Sequence, residues 1–289
     1  MTNHANHDDS DRIDFLPRGT LAEIDPDVQR LIRLEDERQR RRIILIASES
    51  ICSEPVRRAL GSRFSNIYAE GYPSWRMTEA ANTRPLDYTH HLAYYRRYAD
   101  GRYYKGCDYV DFAETLAQKR IIELFANENA SVDQIQANVQ PLSGAAANNA
   151  VYEALCIPGD TVLGLNLAHG GHLTHGSPVN RSGKRYNIVS YGVDPVSGRI
   201  NYDEVMALAR EHQPKMIIGG ASAYPFAIDW KAMRAAADAA GAYLLADIAH
   251  PAGLVAAGLF PNPVGIADIT NFTTHKTMCG PRGACSLTT

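Results

Sequence analysis

The chain has 289 residues, 45% of them hydrophobic, which is enough apolar material for one large domain or two smaller ones. The 29 Lys and Arg residues nearly balance the 32 Asp and Glu residues, so the net charge of -3 gives no reason to expect a nucleic-acid partner. The most apolar window, 241–260, contains Asp247, His250 and Pro251 and therefore excludes a membrane span.

The first residues are polar and acidic, which is the opposite of the basic and apolar pattern of a secretory signal. The five cysteines are odd in number and include no C-x-x-C pair, which favours ordinary thiols in a reduced compartment over a disulfide framework. Together these features predict a cytoplasmic location.

Residues 1–26 are predicted to form a flexible N-terminal arm, and the body of the protein is predicted to occupy 27–289. The body begins with a helix in which charges surround Val28, Leu31 and Leu34 at helical spacing, a pattern typical of a packed surface helix. Acidic residues are interleaved with its arginines, which favours an ion-paired, solvated face over an RNA contact.

The segment 74–101 is rich in Tyr, Arg and His and has no clear strand periodicity. Aromatic residues interleaved with Arg can stack on bases, but an insertion that packs its tyrosines on its own body is the favoured interpretation. We therefore expect a helical excursion over a functional surface.

From Tyr109 onward, helical patterns alternate with short apolar runs. Helices are predicted at 109–125, from Ser143, at 202–212 and at 230–241, and strands at 161–165, 186–191, 215–220, 242–248 and 269–273, with a final strand in 283–289. Strands that alternate with helices need crossover connections, which produce a parallel sheet covered on both faces. The predicted fold class is α/β, with a mainly parallel sheet.

Ligands bind at the carboxyl ends of the strands in such a sheet, and three features of the sequence fall there. In the first, Ser143, Gly144 and Ala145 open a helix of small residues, whose backbone N–H groups and dipole suit an anion such as phosphate. Ser143 is also read as an ordinary N-cap, which by itself is the commoner role of Ser at this position.

The second feature is Asp247, which closes a buried strand and precedes His250 by three residues. Its carboxylate could pair with a cationic ring nitrogen, or it could cap the following loop. The third feature is Lys276, which follows a buried strand between His275 and Thr277. Most lysines are solvated, but a lysine in this setting is a candidate for a lowered pKa and imine chemistry.

An anion cradle, a carboxylate and a lysine on successive strand ends are what pyridoxal 5'-phosphate requires. Each signal is weak alone, but the three together predict a site for this cofactor. The histidines at 169, 172 and 175 could ligate zinc, but the flanking Gly170 and Gly171 and the lack of a nearby acidic residue favour an imidazole stacked on a planar ring. We therefore predict no metal.

Six segments carry a resemblance to a known family: 46–50 (IASES), 65–73 (SNIYAEGYP), 102–111 (RYYKGCDYVD), 166–180 (NLAHGGHLTHGSPVN), 247–258 (DIAHPAGLVAAG) and 274–283 (THKTMCGPRG). Together they resemble serine hydroxymethyltransferase, a family with the fold of pyridoxal-phosphate-dependent transferases. The resemblance runs from about Val28 to the last residue, interrupted by an insertion at 74–101.

The resemblance implies a role for each motif residue. Lys276 would form an imine with the cofactor, Asp247 would pair with its ring nitrogen and His172 would stack on its ring. The rest of the cofactor shell would be Ser143, Gly144, Ala145, Ser222, His250 and His275. Glu70 would be the acid/base group, assisted by Tyr68 and Tyr104, and Thr273 would support proton handling. Substrates would also contact Ser48, Tyr103, Leu167 and Gly171.

The implied reaction interconverts serine and glycine and transfers a one-carbon unit to tetrahydrofolate, in a homodimer with shared active sites. The resemblance also implies that a smaller C-terminal domain, with the arginine that receives the substrate carboxylate, lies outside this chain, which would then be a truncated form. Two alternatives remain open. If the insertion blocks folate, the protein would be a pyridoxal-phosphate-dependent aldolase acting on β-hydroxy amino acids. The absence of the substrate arginine would instead fit a catalytically incompetent cofactor-binding subunit.

Overall fold

A computed structural model of the protein describes residues 18–74 and 101–289. The chain divides into two compact units, 1–46 and 47–289. The predicted insertion at 74–101 lies outside the described residues apart from its two end positions. No helix in 18–74 or 101–289 is long and apolar enough to cross a bilayer.

The first unit contains helices α1 (Leu21–Ile24) and α2 (Pro26–Arg41). α2 begins where it does because the Asp25 carboxylate accepts a hydrogen bond from the Val28 amide at 3.0 Å and Pro26 occupies the first turn. The predicted helix is confirmed, but its expected packing is wrong within this chain. None of its residues is buried, and Leu31 is 64% exposed. α1 lies within the range predicted as a flexible arm.

The second unit is built on a seven-stranded sheet. The strands are β1 (Gln136–Asn138), β2 (Thr161–Leu165), β3 (Asn187–Tyr191), β4 (Met216–Gly220), β5 (Tyr243–Asp247), β6 (Ile269–Thr273) and β7 (Ala284–Thr288). Their order is β1-β7-β6-β5-β4-β2-β3. The five strands from β6 to β3 are parallel. β7 pairs antiparallel with β6, and β1 pairs antiparallel with β7, so β1 runs in the same direction as the five parallel strands.

Seven helices belong to the described part of the second unit: α3 (Glu54–Leu60), α4 (Asp108–Phe125), α5 (Gly144–Leu155), α6 (Arg181–Arg185), α7 (Tyr202–His212), α8 (Trp230–Ala240) and α9 (Ala252–Ala256). The crossovers between parallel strands contain α6 to α9. α8, for example, starts at an N-cap where the Asp229 side chain accepts from the Ala232 amide at 3.0 Å, and it ends at Gly241 in the left-handed region.

Both faces of the sheet are buried. Along β4, Met216 and Ile218 pack with Val151 of α5 on one face, whereas Ile217 packs with Met233 of α8 on the other. This alternation follows from the two-residue period of a strand and requires apolar residues at every position. The α/β prediction with helices on both faces is confirmed.

Candidate active site at the carboxyl edge of the sheet

A pocket of about 250 Å³ lies where β5 and β6 end. Because parallel strands end at the same edge, residues that follow different strands meet there. The pocket is lined by Ser48, Ser143, Gly144, Ala145, His172, Ala221, Ser222, Asp247, Ala249, His250, Thr273, His275 and Lys276. All nine residues assigned to the cofactor shell by resemblance therefore surround one cavity, together with Ser48 and Thr273.

Asp247 is a buried carboxylate that three donors hold. Its Oδ2 accepts from Asn148 Nδ2 at 2.8 Å and from His175 Nε2 at 2.9 Å, and its Oδ1 accepts from the Ala249 amide at 3.0 Å. Burial by itself would raise the pKa of Asp247, but the hydrogen bonds from His175 and Asn148 outweigh it and hold the pKa well below its ordinary value. Asp247 is therefore an anion at neutral pH, able to pair with a cationic nitrogen.

Backbone hydrogen bonds fix the tautomers of two histidines. The Nδ1 atom of His175 accepts from the His172 amide at 3.3 Å, so Nε2 carries the proton that is donated to Asp247. The Nδ1 atom of His172 accepts from the Thr174 amide at 3.2 Å and lies 2.7 Å from the Thr174 hydroxyl. Burial lowers the pKa of His172, so its ring is neutral at neutral pH.

Lys276 is a buried lysine whose Nζ lies 3.1 Å from His250 Nε2. Burial lowers the pKa of Lys276, with a smaller opposing effect from Asp247. Burial and the nearby Lys276 charge lower the pKa of His250 to about 4, so His250 is neutral and accepts a hydrogen bond from the lysine at neutral pH. The easier loss of a proton from Lys276 favours its use as a nucleophile.

The N-terminus of α5 forms another wall of the pocket. The Ser143 side chain accepts from the Ala146 amide at 3.2 Å, so the N-cap interpretation holds, and Ser143 also lines the cavity. Gly144 packs closely on β6, because a Cβ atom there would lie 2.8 Å from Thr273 Cγ2. The Thr273 hydroxyl itself donates to the Ala249 carbonyl at 3.3 Å.

Six predicted residues lie outside the lining of this pocket. Tyr68 (72% exposed), Tyr103 (85% exposed), Tyr104 and Glu70 are at the surface. The rings of Tyr68 and Tyr104 lie 5.7 Å apart. In the loop after β2, Leu167 is exposed and Gly171 is buried. A Cβ atom at Gly171 would meet the Leu165 carbonyl oxygen at 2.1 Å. Their predicted roles remain proposals.

A buried polar network behind Asp247 was missed by the sequence reasoning. Asn148 Nδ2 also donates to Thr174 Oγ1 at 2.8 Å, and Asn148 Oδ1 accepts from Asn271 Nδ2 at 2.9 Å. The Tyr152 hydroxyl completes it by donating to the Thr174 carbonyl at 2.9 Å. The only signal in the sequence was the presence of polar residues within segments whose apolar pattern predicts burial.

The metal alternative has one candidate group within the described ranges: His172, His175 and Asp247, whose ligand atoms lie within 4.8 Å of one another. The prediction did not anticipate an acidic residue near these histidines. A shared ion would have to replace the His175 to Asp247 hydrogen bond and displace a proton from His175 Nε2. The observed bonding therefore favours the reading in which His175 anchors the carboxylate.

The donor set suits pyridoxal 5'-phosphate. Lys276 supplies an amine, Asp247 an anion for the ring nitrogen, and residues 143–145 open a twelve-residue helix whose N-terminus favours phosphate. His275 lines the same pocket and adds a polar ring to it. These residues fit the cofactor.

Fold and site thus define an α/β protein with a buried lysine, an anchored carboxylate and a helix N-terminus at one edge of a mainly parallel sheet. The family model for serine hydroxymethyltransferase matches residues 21–96 and 89–289. A serine hydroxymethyltransferase of Teredinibacter turnerae is 52% identical over 268 residues, which are 93% of this chain and 56% of that relative. The chain thus spans about half the length of the curated relative. It belongs to the serine hydroxymethyltransferase family.

Proposed function

We propose that the protein interconverts serine and glycine, with pyridoxal 5'-phosphate bound to Lys276 and tetrahydrofolate as the one-carbon acceptor. The observation that carries this proposal is the presence of Lys276 and the anchored Asp247 in one pocket with the N-terminus of α5. We further propose that 47–289 forms most of the cofactor-binding domain and that the protein acts in the cytoplasm.

When bound, the cofactor supplies an electron sink for the electrons released at the amino acid's Cα. The chain's own residues prepare the site for it. Asp247 stays ionised and would balance the positive charge of a protonated ring nitrogen. Asn148 and His175 hold the carboxylate in one orientation. His172 would cover one face of the ring, and Ser143, Gly144 and Ala145 would hold the phosphate.

His250 orients the lysine. Its neutral ring accepts a hydrogen bond from Lys276 Nζ, and burial lowers the pKa of Lys276, so the ammonium group more easily loses a proton to solvent before the amine reacts. Ser222 and His275 would complete the polar shell, and Ser48 would help to seat the amino acid. Thr273 lies at the end of β6 and would support proton handling beside the lysine.

Glu70 would exchange a proton with the substrate hydroxyl, with Tyr68 and Tyr104 beside it. These three residues are exposed in the single chain and are absent from the lining of the Lys276 pocket. This placement supports a homodimer in which they serve the partner's pocket. Tyr103, Leu167 and Gly171 would contribute to the folate site, and the exposure of Tyr103 and Leu167 leaves them free for such contacts.

The experiment incubates the cofactor-loaded chain with serine and, separately, with allo-threonine, each with and without tetrahydrofolate. The proposal predicts formation of glycine from serine that depends on tetrahydrofolate. Cleavage of allo-threonine with no effect of folate on serine would instead identify an aldolase. Cofactor binding without turnover of either amino acid would identify a non-catalytic subunit of a longer or mixed assembly.

A further inference from the structure

Four consecutive backbone carbonyls around Glu70 accept hydrogen bonds from outside their own segment. The acceptors run from Tyr68 to Gly71, and the donors in the same order are Cys107 Sγ (3.2 Å), Arg102 Nη1 (2.6 Å), the Tyr103 amide (3.0 Å) and Arg102 Nη1 again (2.8 Å). Such complete pairing in an exposed segment leaves little freedom for its backbone.

Arg102 is the centre of this arrangement. One of its nitrogens binds the carbonyls on both sides of Glu70, and the side chain is only 1% exposed. Its Nε donates to Asp111 at 2.7 Å and its Nη2 donates to Glu114 at 2.6 Å, so two carboxylates of α4 hold the guanidinium group. Lysine lacks the planar fork that makes these four bonds at once.

Backbone contacts also join the segment around Glu70 to the segment that contains Arg102. The Tyr72 amide donates to the Gly101 carbonyl at 2.9 Å, and a β-bridge joins Gly71 to Arg102. The two segments of the chain approach so closely that a Cβ atom at Gly71 would lie 2.4 Å from the Gly101 carbonyl oxygen. Gly71 also has φ of +97°, which an L side chain rarely adopts.

Gln140 connects this segment to the cofactor edge. Its Nε2 donates to the Gly71 carbonyl at 2.9 Å and to Glu114 at 2.7 Å. Gln140 precedes Ser143 by three residues, so the segment that leads into the N-terminus of α5 is hydrogen-bonded to Gly71, the residue that follows Glu70. The buried thiol of Cys107 contributes the remaining bond, and burial raises its pKa, which keeps it protonated as a donor.

We propose that Arg102 is a positioning residue that fixes the backbone on both sides of Glu70, with Cys107 and Gln140 in supporting roles. Arg102 acts through Glu70 and does not itself meet the reacting atoms. The catalytic consequence rests on the proposed function, whereas the positioning itself does not depend on it.

Hydrogen exchange of the cofactor-free chain tests the positioning. In Arg102→Lys, exchange at the Tyr72 and Tyr103 amides is expected to rise about tenfold, as expected when one hydrogen bond to a charged donor is lost. Exchange in β4 and β5 should stay unchanged. Arg181→Lys is the matched control, because exposed Arg181 forms its ion pair among the described residues only with Glu153, and its replacement should leave both amides as they are. Unchanged exchange at these amides in a folded Arg102→Lys variant would overturn the proposal.

Cys107 provides a second variant, which leaves the ion pairs of Arg102 with Asp111 and Glu114 in place, in case Arg102→Lys fails to fold. Cys107→Ala should raise exchange at residues 68–72, and Cys107→Ser, which keeps a donor, should restore most of the protection. Equal exchange in both Cys107 variants and the wild type would contradict the pinned backbone. A rise spread evenly over the sheet would also contradict it, because that pattern indicates a general loss of stability.

Kinetics then test whether Arg102 acts through Glu70. In the serine assay, Arg102→Lys and Glu70→Gln should lower kcat by similar factors, and the double variant should lose no more than Glu70→Gln alone. If the two factors by which kcat falls multiply in the double variant, Arg102 acts independently of Glu70. If Lys276 binds no cofactor, the proposed function fails while the exchange result still decides the positioning.

Discussion

Asn148 links the carboxylate of Asp247 to its neighbours, and its replacement has a cost that can be worked out from the structure. Asn148→Ala removes one hydrogen bond to the charged Asp247 and two neutral ones, to Thr174 and from Asn271. At about 1.5–3 kcal/mol for the first and about 1 kcal/mol for each of the others, the unfolding free energy should fall by about 3.5–5 kcal/mol.

Urea denaturation of the cofactor-free chain at neutral pH measures this loss. Asn187→Ala is the matched control. Among residues 18–74 and 101–289, the exposed Asn187 side chain forms one hydrogen bond, to Thr161 Oγ1 at 3.0 Å, so the substitution should cost about 1 kcal/mol or less. A loss below about 1 kcal/mol for Asn148→Ala, no larger than for the control, would refute the view that this network is the main support of Asp247.

Three further predictions concern the same pocket. The pKa of His250 is lowered to about 4, so between pH 6.5 and 4 the unfolded chain binds a proton that the folded chain does not. The unfolding free energy should therefore fall as the pH falls through this range. His250→Gln should flatten this pH dependence, which urea denaturation at several pH values measures. Gly144→Ala should cost about 1–3 kcal/mol through overlap with Thr273 Cγ2, and Thr273→Ser, which deletes that methyl group, should restore most of the loss in thermal unfolding. Ser143→Ala should cost about 1 kcal/mol by leaving the Ala146 amide without its cap, whereas an unchanged urea midpoint would show that the cap contributes nothing.

Much of the fold could be predicted because the signals were local. The predicted strands 161–165 and 269–273 have the observed bounds, since short apolar runs bordered by polar residues mark buried parallel strands. β1 was missed because only Ala137 of its three residues, Gln136–Asn138, is apolar, and none of the three is fully buried at the edge of the sheet. The antiparallel direction of β7 depends on its pairing with β6, which no local pattern encodes.

The candidate site also contains some residues that the sequence predicts and others that it does not. Lys276 and Asp247 were predictable because each follows a strand, and parallel strands bring their ends together whatever their separation in sequence. The partners of Asp247 were not predictable, since Asn148 lies 99 residues away and contacts it only because α5 packs across the sheet. The role of Arg102 was hidden for the same reason, because an arginine next to two tyrosines gives no sign that it is buried.

The most direct test of the central claim is the site at which the cofactor attaches. The chain is loaded with pyridoxal 5'-phosphate, reduced with borohydride and digested, and the masses of the peptides are measured by mass spectrometry. The added mass should appear on the peptide that contains Lys276 and disappear in Lys276→Ala, but persist in Lys231→Ala, which alters an exposed lysine of α8. A folded chain that gains no mass at Lys276, or gains it equally at exposed lysines, would contradict the assignment of this pocket.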